Sequence, residues 1–79
     1  MGETIKPVKY RLEVCFLTKY YPDVDIILDV RLGKPHEKSM RFGTCTRRYD
    51  HIEIDHAVSA WKRVQCLPFI TELRIERIL

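Results

Sequence analysis

The chain has 79 residues, of which 46% are hydrophobic and 32% are charged. This length accommodates one domain and is too short for two, so residues 1–79 are expected to form a single domain with a thin core. The composition excludes a disordered chain. A net charge of +3 allows an acidic partner without requiring one.

The three cysteines, Cys15, Cys45 and Cys66, lie too far apart in the sequence for a common zinc motif. Their odd number favours free thiols in a reducing compartment, so we expect no disulfide, no structural metal and no cofactor. The N-terminal residues lack the apolar stretch of a signal peptide, and no run approaches 18 apolar residues. We therefore expect a soluble, cytoplasmic protein without a membrane partner.

Two segments in the first half alternate between apolar and polar residues, which is typical of strands. The first contains Tyr10, Leu12, Val14 and Phe16, and the second is VDIILDVRL, residues 24–32. Between them, Pro22 and Asp23 indicate a turn. The pattern predicts a first hairpin with Phe16 opposite Val24.

A polar loop at residues 33–38 is followed by a third alternating segment, Met40 to Arg47, which YDHIEI either continues or extends after a bend. Asp55 is a suitable N-cap for a helix that ends before Pro68. A closing strand follows in FITELRIERIL. The predicted fold is α+β, with the order β-β-β-α-β and one helix on an antiparallel sheet of four to five strands.

The helix presents an apolar face of Ala57, Trp61 and Val64, with Trp61 as its main anchor. We expect this face to pack on the apolar side of the sheet, which comprises Leu12, Val14, Ile26, Leu28, Val30 and Phe42. The predicted register gives the opposite, solvent-exposed side of the sheet internal charge pairs, including Asp25 with Arg47 and Arg11 with Asp29.

Unpaired positive charge is then expected at one rim of the sheet, around the loop at residues 33–38, where Arg31 is predicted to face Arg41. Two adjacent tyrosines in the first turn have little core to fill, so at least one should be exposed, and exposed tyrosine is favoured at binding surfaces. The candidate binding residues are Tyr20, Tyr21, Arg31, Lys34, Lys38, Arg41 and Arg47.

The stretch DHIEIDH contains the strongest metal-like cluster: Asp50, His51, Glu53, Asp55 and His56. On a strand these side chains divide between two faces, so a site requires a bend that brings them together. Cys45 lies near Arg41 and Arg47 in the sequence, a setting that suits a reactive thiol, but no positioned base accompanies it. We predict that the protein is not an enzyme.

The alternating strands from Tyr10 to Thr46, the short helix opened by Asp55 and the closing strand from Phe69 to Ile75 resemble small phage-encoded α+β proteins that block host machinery, including anti-CRISPR proteins. The resemblance covers the whole chain in size and order of elements. It implies a non-catalytic module that occludes a surface of another protein or of a protein–nucleic acid complex.

Two alternatives remain at this point. Three strands followed by a helix also resemble the arm-binding domains of tyrosine integrases, which implies nucleic-acid binding through Arg11, Arg31, Arg41 and Arg47, with Lys34 and Lys38 on phosphates. The third hypothesis is a homodimer formed through an exposed edge strand.

Overall fold

The computed structural model describes residues 8–79. Six main elements follow one another in the order strand, helix, strand, strand, helix, strand, and a 3-10 turn, Thr18–Tyr20, joins the first two. The elements are β1 (Tyr10–Leu17), α1 (Tyr21–Leu32), β2 (Glu37–Arg41), β3 (Thr44–Ile52), α2 (Ile54–Val64) and β4 (Ile70–Arg77).

The four strands form one antiparallel sheet in the order β2-β3-β1-β4, and both helices cover the same face. This is the split βαβ arrangement of ferredoxin-like folds. The predicted α+β class and antiparallel sheet are confirmed. The prediction of one helix is wrong, because residues 8–79 contain two.

Residues 21–32, predicted to contain the second strand, form helix α1. Pro22 lies in its first turn, where a missing N–H costs nothing, and Gly33 with φ +76° follows its last residue. Val24 and Leu28, four residues apart, are fully buried, whereas Ile26 and Val30 are 66% and 74% exposed. The apolar residues that form the core therefore follow the helical period, and the alternation was misleading.

The predicted strand pairs change accordingly. Phe16 lies opposite Cys45 on one side and Ile70 on the other, since β1 pairs with β3 and β4. Residues 40–47 are not one strand, because the chain turns at Phe42 and Gly43. Arg31 does not face Arg41.

Strand β1 lies at the centre of the fold, and its helix-facing residues Leu12, Val14 and Phe16 are fully buried. A small domain buries few side chains completely, so these positions dominate its stability. The rest of the buried core comes from the two helices and β3: Val24, Leu28, Cys45, Tyr49, Ala57, Ala60 and Val64.

Helix α2 occupies the predicted segment, although its N-cap is Glu53, two residues before the predicted Asp55. Ala57 and Val64 are buried as predicted, and Trp61 is partly buried with its indole N–H donating to Gln65 Oε1 at 2.9 Å. Of the residues that α2 was expected to cover, Ile26, Val30 and Phe42 are exposed instead.

Within residues 8–79, neither helix has the length and hydropathy needed to span a bilayer.

Candidate interaction surface

The β2–β3 hairpin turns through two residues, Phe42 and Gly43, with Arg41 and Thr44 paired on either side. Both turn residues have positive φ, +50° and +81°, as a type I′ turn requires. Asparagine and glycine are the usual residues at such positions, because a bulky side chain is strained in the left-handed region. Here the first position is a phenylalanine whose side chain is 92% exposed.

The hairpin tip is held against the 3-10 turn that precedes helix α1. The backbone N–H of Thr18 donates to the Gly43 carbonyl at 2.9 Å, and the Cys45 thiol contacts the Thr18 hydroxyl at 3.5 Å. The Arg41 guanidinium lies 5.5 Å from the centre of the Phe42 ring, within cation–π range. The exposed ring therefore projects from a turn whose position is fixed.

A groove of about 360 Å³ runs between the N-terminal end of α1 and strand β2. Tyr21 forms its helix wall, Lys38 and Met40 its strand wall, and Cys45 and Arg47 lie among its lining residues. Tyr21 and Met40 are 51% and 68% exposed. The groove thus offers an apolar floor with a lysine at its edge.

Arg47 lies at the inner side of this groove and is only 6% exposed. Its guanidinium donates to both oxygens of Asp25 on α1, at 2.8 and 3.3 Å, and stacks 5.4 Å from the Phe16 ring. The bond to Asp25 is the main reason why the pKa of Arg47 is raised above its usual value. The predicted partnership of Asp25 with Arg47 therefore exists, but it joins a helix to a strand and occupies the arginine inside the molecule.

Tyr49 of β3 makes a similar contact with α1, at an aspartate one helical turn beyond Asp25. Its hydroxyl donates to the Asp29 carboxylate at 3.2 Å, while the ring is 2% exposed. Burial, followed by the nearby Asp29 charge, raises the pKa of the Tyr49 phenol well above its usual value. Asp25 and Asp29, four residues apart on one helix face, thus tie α1 to alternate residues of β3.

The face of the sheet opposite the helices is a network of charge pairs. Arg11 contacts Asp50 at 2.7 Å and Glu76 at 3.3 Å, and Arg48 contacts Glu37 at 3.2 Å and Asp50 at 3.3 Å. The bond from Arg11 holds the pKa of the Asp50 carboxyl below its usual value. Charge pairs were predicted on this side and do occur, but they are different pairs: Arg11 pairs with Asp50 and Glu76 instead of Asp29, and Arg47 with Asp25 lies on the helix side.

The predicted binding residues do not form one cluster. Tyr21 lies by the hairpin tip and Arg41 at the end of β2, whereas Arg31 and Lys34 lie at the opposite end of β2, after roughly 13 Å of strand. Tyr20 stacks on Phe69 with ring centroids 4.3 Å apart. Arg31, Lys34, Lys38 and Arg41 are exposed.

The histidine-rich segment does not converge on a metal site. Within residues 8–79, no group of three or more histidine, cysteine, aspartate or glutamate side chains is placed to hold a metal ion. His51 lies edge-on to His36 at 6.3 Å, and Asp50 is engaged by Arg11 and Arg48. The three cysteines are free: Cys15 is partly buried, Cys45 buried and Cys66 exposed.

A second groove, of about 500 Å³, lies between α2 and β4. Val58, Trp61 and Ile75 supply its apolar lining, and Lys62 and Gln65 its polar one. Val58 is 37% exposed, and Trp61 and Ile75 are partly buried. These apolar side chains are less exposed than Tyr21 and Met40 of the first groove, so the second groove is the weaker candidate.

Phe42 and Met40 are the surface residues that sequence reasoning missed, because both were assigned to one strand of the sheet. One feature of the sequence does indicate a hairpin turn here. Gly43 follows Phe42, and the alternating segment TCTRRY, which contains β-branched residues, comes directly after them. A phenylalanine at the first turn position weakens that signal.

Comparison with known proteins finds a similar fold but shows no family for this chain. No protein-family model matches the chain, and no curated protein matches it. The chain is similar to the crystal structure of a NIPSNAP family protein with unknown function from Agrobacterium tumefaciens strain C58, with a TM-score of 0.51 and 11% identity. The match covers 99% of this chain and 92% of that chain. At this identity the likeness concerns the fold alone.

Proposed function

We propose that the protein is a small, non-catalytic protein-binding module that occludes a surface of its partner with the tip of the β2–β3 hairpin and the adjoining groove. The observation that carries the proposal is the exposure of Phe42, 92%, at a turn position with φ +50°. Asparagine or glycine suits this position better in the isolated protein. A phenylalanine there costs local strain and exposes a ring to water.

Both costs are offset when the ring enters a pocket on another protein. Aromatic side chains next to arginine are the usual anchors of protein interfaces, and Arg41 already lies over the ring. Tyr21 and Met40 continue the apolar surface into the groove. The tip is held by the Thr18–Gly43 hydrogen bond, so little conformational entropy is lost on binding.

An acidic surface on the partner suits this site. Lys38 and Arg41 are exposed and form no ion pair within residues 8–79, and the chain carries a net charge of +3. Steering by these charges raises the association rate and is screened by salt. The inhibitor role implied by the resemblance to phage-encoded proteins stays a prediction.

Nucleic-acid binding through the sheet has less support. Four-stranded sheets that bind single-stranded RNA stack bases on aromatic side chains. In the described part of this sheet, the face opposite the helices presents mainly charged, small polar and thiol side chains, with Leu17 at one end. Of its arginines, Arg11, Arg48 and Arg74 already hold carboxylates, and Arg41 forms no ion pair within residues 8–79. Those carboxylates oppose phosphates.

The experiment compares the parent with Phe42→Asn. Asparagine favours the left-handed conformation, so folding stability should stay equal or rise by about 0.5–1 kcal/mol. A partner captured by the parent and then purified should bind Phe42→Asn at least about tenfold more weakly in calorimetry, as expected for an anchor residue. A loss of binding with no loss of stability separates recognition from folding.

Val58→Asn is the matched control, because it replaces an exposed apolar side chain beside the second groove. It should leave the affinity unchanged. Parental affinity in Phe42→Asn, or a loss confined to Val58→Asn, contradicts the proposed surface. Binding to a generic DNA duplex that falls steeply with salt supports the nucleic-acid alternative instead.

A further inference from the structure

We infer that β2 of one copy pairs antiparallel with β2 of a second copy, around a two-fold axis at Ser39, so that two four-stranded sheets become one of eight strands. This inference does not rest on the proposed function, since self-association needs no other partner.

In the described part of the chain, the edge of the sheet at β2 is open. All five residues of β2 are exposed, and within residues 8–79 only β3 pairs with it, on one side. Helix α1 packs over β3 through Asp25 and Asp29 and leaves a groove beside β2. Uncovered edge strands present unpaired backbone groups that another strand can complete.

The backbone groups that face outward can be assigned from the hairpin. In a two-residue turn the flanking residues, Arg41 and Thr44, form a hydrogen-bonded pair, and such pairs alternate along an antiparallel ladder. Ser39 and Glu37 therefore also bond toward β3. The N–H and C=O groups of Lys38 and Met40 point away from the sheet.

The charges on β2 favour a second copy of this chain as the strand that pairs with it. With the two-fold axis at Ser39, Lys38 lies opposite Met40 of the other copy, so the outward backbone groups complete each other. The same register sets Glu37 opposite Arg41 of the other copy, twice. Within residues 8–79 Arg41 forms no ion pair, and Glu37, whose side chain is 60% exposed, contacts only Arg48. Opposite charges directly across strands are stabilising.

Neighbouring registers lose this complementarity. An axis at Lys38 sets the two lysines against each other, and like charges directly opposite are destabilising. An axis at Met40 pairs Arg41 with Ser39 and leaves Glu37 beyond the pairing. The self-complementary register is therefore the one centred on Ser39.

The other edge strand, β4, is less suited to pairing. Its Arg74 already contacts Glu13 at 3.6 Å and its Glu76 contacts Arg11 at 3.3 Å. Leu73 and Ile75 are partly buried in the core. Arg74 and Glu76 of β4 are thus engaged within the molecule, whereas Arg41 of β2 forms no ion pair within residues 8–79.

Pairing at β2 has a consequence for the predicted binding residues. In the register centred on Ser39, Phe42 of one copy lies beside His36 of the other. The basic residues at the start of β2, including Lys34, then adjoin the hairpin tip and Tyr21 across the axis. The two parts of the surface, which lie at opposite ends of β2 in one copy, become neighbours in the dimer.

The test exploits the pairing of Glu37 with Arg41. Sedimentation equilibrium should give the parent a mass twice 9.5 kDa at high concentration. Arg41→Glu and Glu37→Arg each create two like-charge pairs and should weaken self-association about 10- to 100-fold. An equimolar mixture of the two variants restores opposite charges in both pairs, so the mixture should form a heterodimer at parental concentration.

Two controls accompany these variants. Arg74→Glu on β4 and Val58→Asn on α2 should both keep the dimeric mass, and circular dichroism should show each variant folded. A parent that stays monomeric up to about 1 mM overturns the inference. So does a dimer that survives in both charge variants, a mixture that stays monomeric, or a dimer lost only in Arg74→Glu, which locates pairing at β4.

Discussion

Arg47 on β3 and Asp25 on α1 hold each other by two hydrogen bonds, of 2.8 and 3.3 Å, under the helix that begins at Tyr21. The arginine side chain is 7% exposed and the aspartate 21%. A charge this well buried is stable only while its counter-charge stays in place. The pair therefore sets where α1 lies over the sheet, and with it the wall of the groove beside β2.

Asp25→Asn should destabilise the fold by about 3 kcal/mol, because it leaves the Arg47 guanidinium buried without a carboxylate. Urea denaturation measures this as a fall in midpoint with little change in slope. The double variant Asp25→Leu with Arg47→Met removes both charges and should recover most of the loss. Asp23→Asn, on the exposed side of the first turn, is the control and should cost less than about 1 kcal/mol. Equal losses in Asp25→Asn and Asp23→Asn would show that the pair is unimportant.

Asp50 should make the fold sensitive to acid. Its pKa is lowered in the folded protein, chiefly by the bond from Arg11. The stabilisation is complete above the ordinary pKa of about 3.9 and is lost as pH falls through the lower folded value. Asp50→Asn should lower stability at neutral pH and flatten its decline below about pH 4.

Urea titrations at a series of pH values measure that slope. Glu72→Gln on β4 is the control, since Glu72 forms no ion pair within residues 8–79, and it should keep the parental acid slope. If stability declines with falling pH as steeply in Asp50→Asn as in the parent, the Arg11–Asp50 pair does not contribute to the acid sensitivity of the fold.

Trp61→Ala should cost less than its ring size suggests, because the indole is partly buried and its N–H bonds to Gln65 on the same helix. We expect about 2 kcal/mol, against about 3–5 kcal/mol for Phe16→Ala in the fully buried centre of β1. Thermal melts of the two variants rank them directly. If Trp61→Ala melts below Phe16→Ala, the indole is the main anchor after all.

Sequence pattern alone was sufficient for β1, α2 and β4. In β1 the alternation of Leu12, Val14 and Phe16 admits one interpretation, because the residues between them are charged or small. In α2, the apolar residues Ala57, Trp61 and Val64 recur at helical spacing, and Pro68 limits the helix. Each of these segments has one face that can enter a core.

Part of the candidate surface was also within reach of the sequence. The tyrosine pair in the first turn predicted an exposed ring, and Tyr21 is 51% exposed. Lys34 and Lys38 were predicted to belong to the unpaired positive charge at the rim, and both are exposed. Whether these residues bind a partner stays a prediction.

Only the tertiary structure decided the state of residues 21–32 and the turn at Phe42. The apolar residues Val24, Ile26, Leu28 and Val30 fit a strand, and Val24 with Leu28 also fits a helix. Contacts with distant residues favour the helix over the strand. Arg47 and Tyr49 can donate hydrogen bonds to Asp25 and Asp29 only if the two aspartates lie one helical turn apart on one face. Because residues 21–32 form a helix and not a strand, they cannot pair with residues 40–47 as predicted. Phe42 therefore lies in an exposed turn and not in the core.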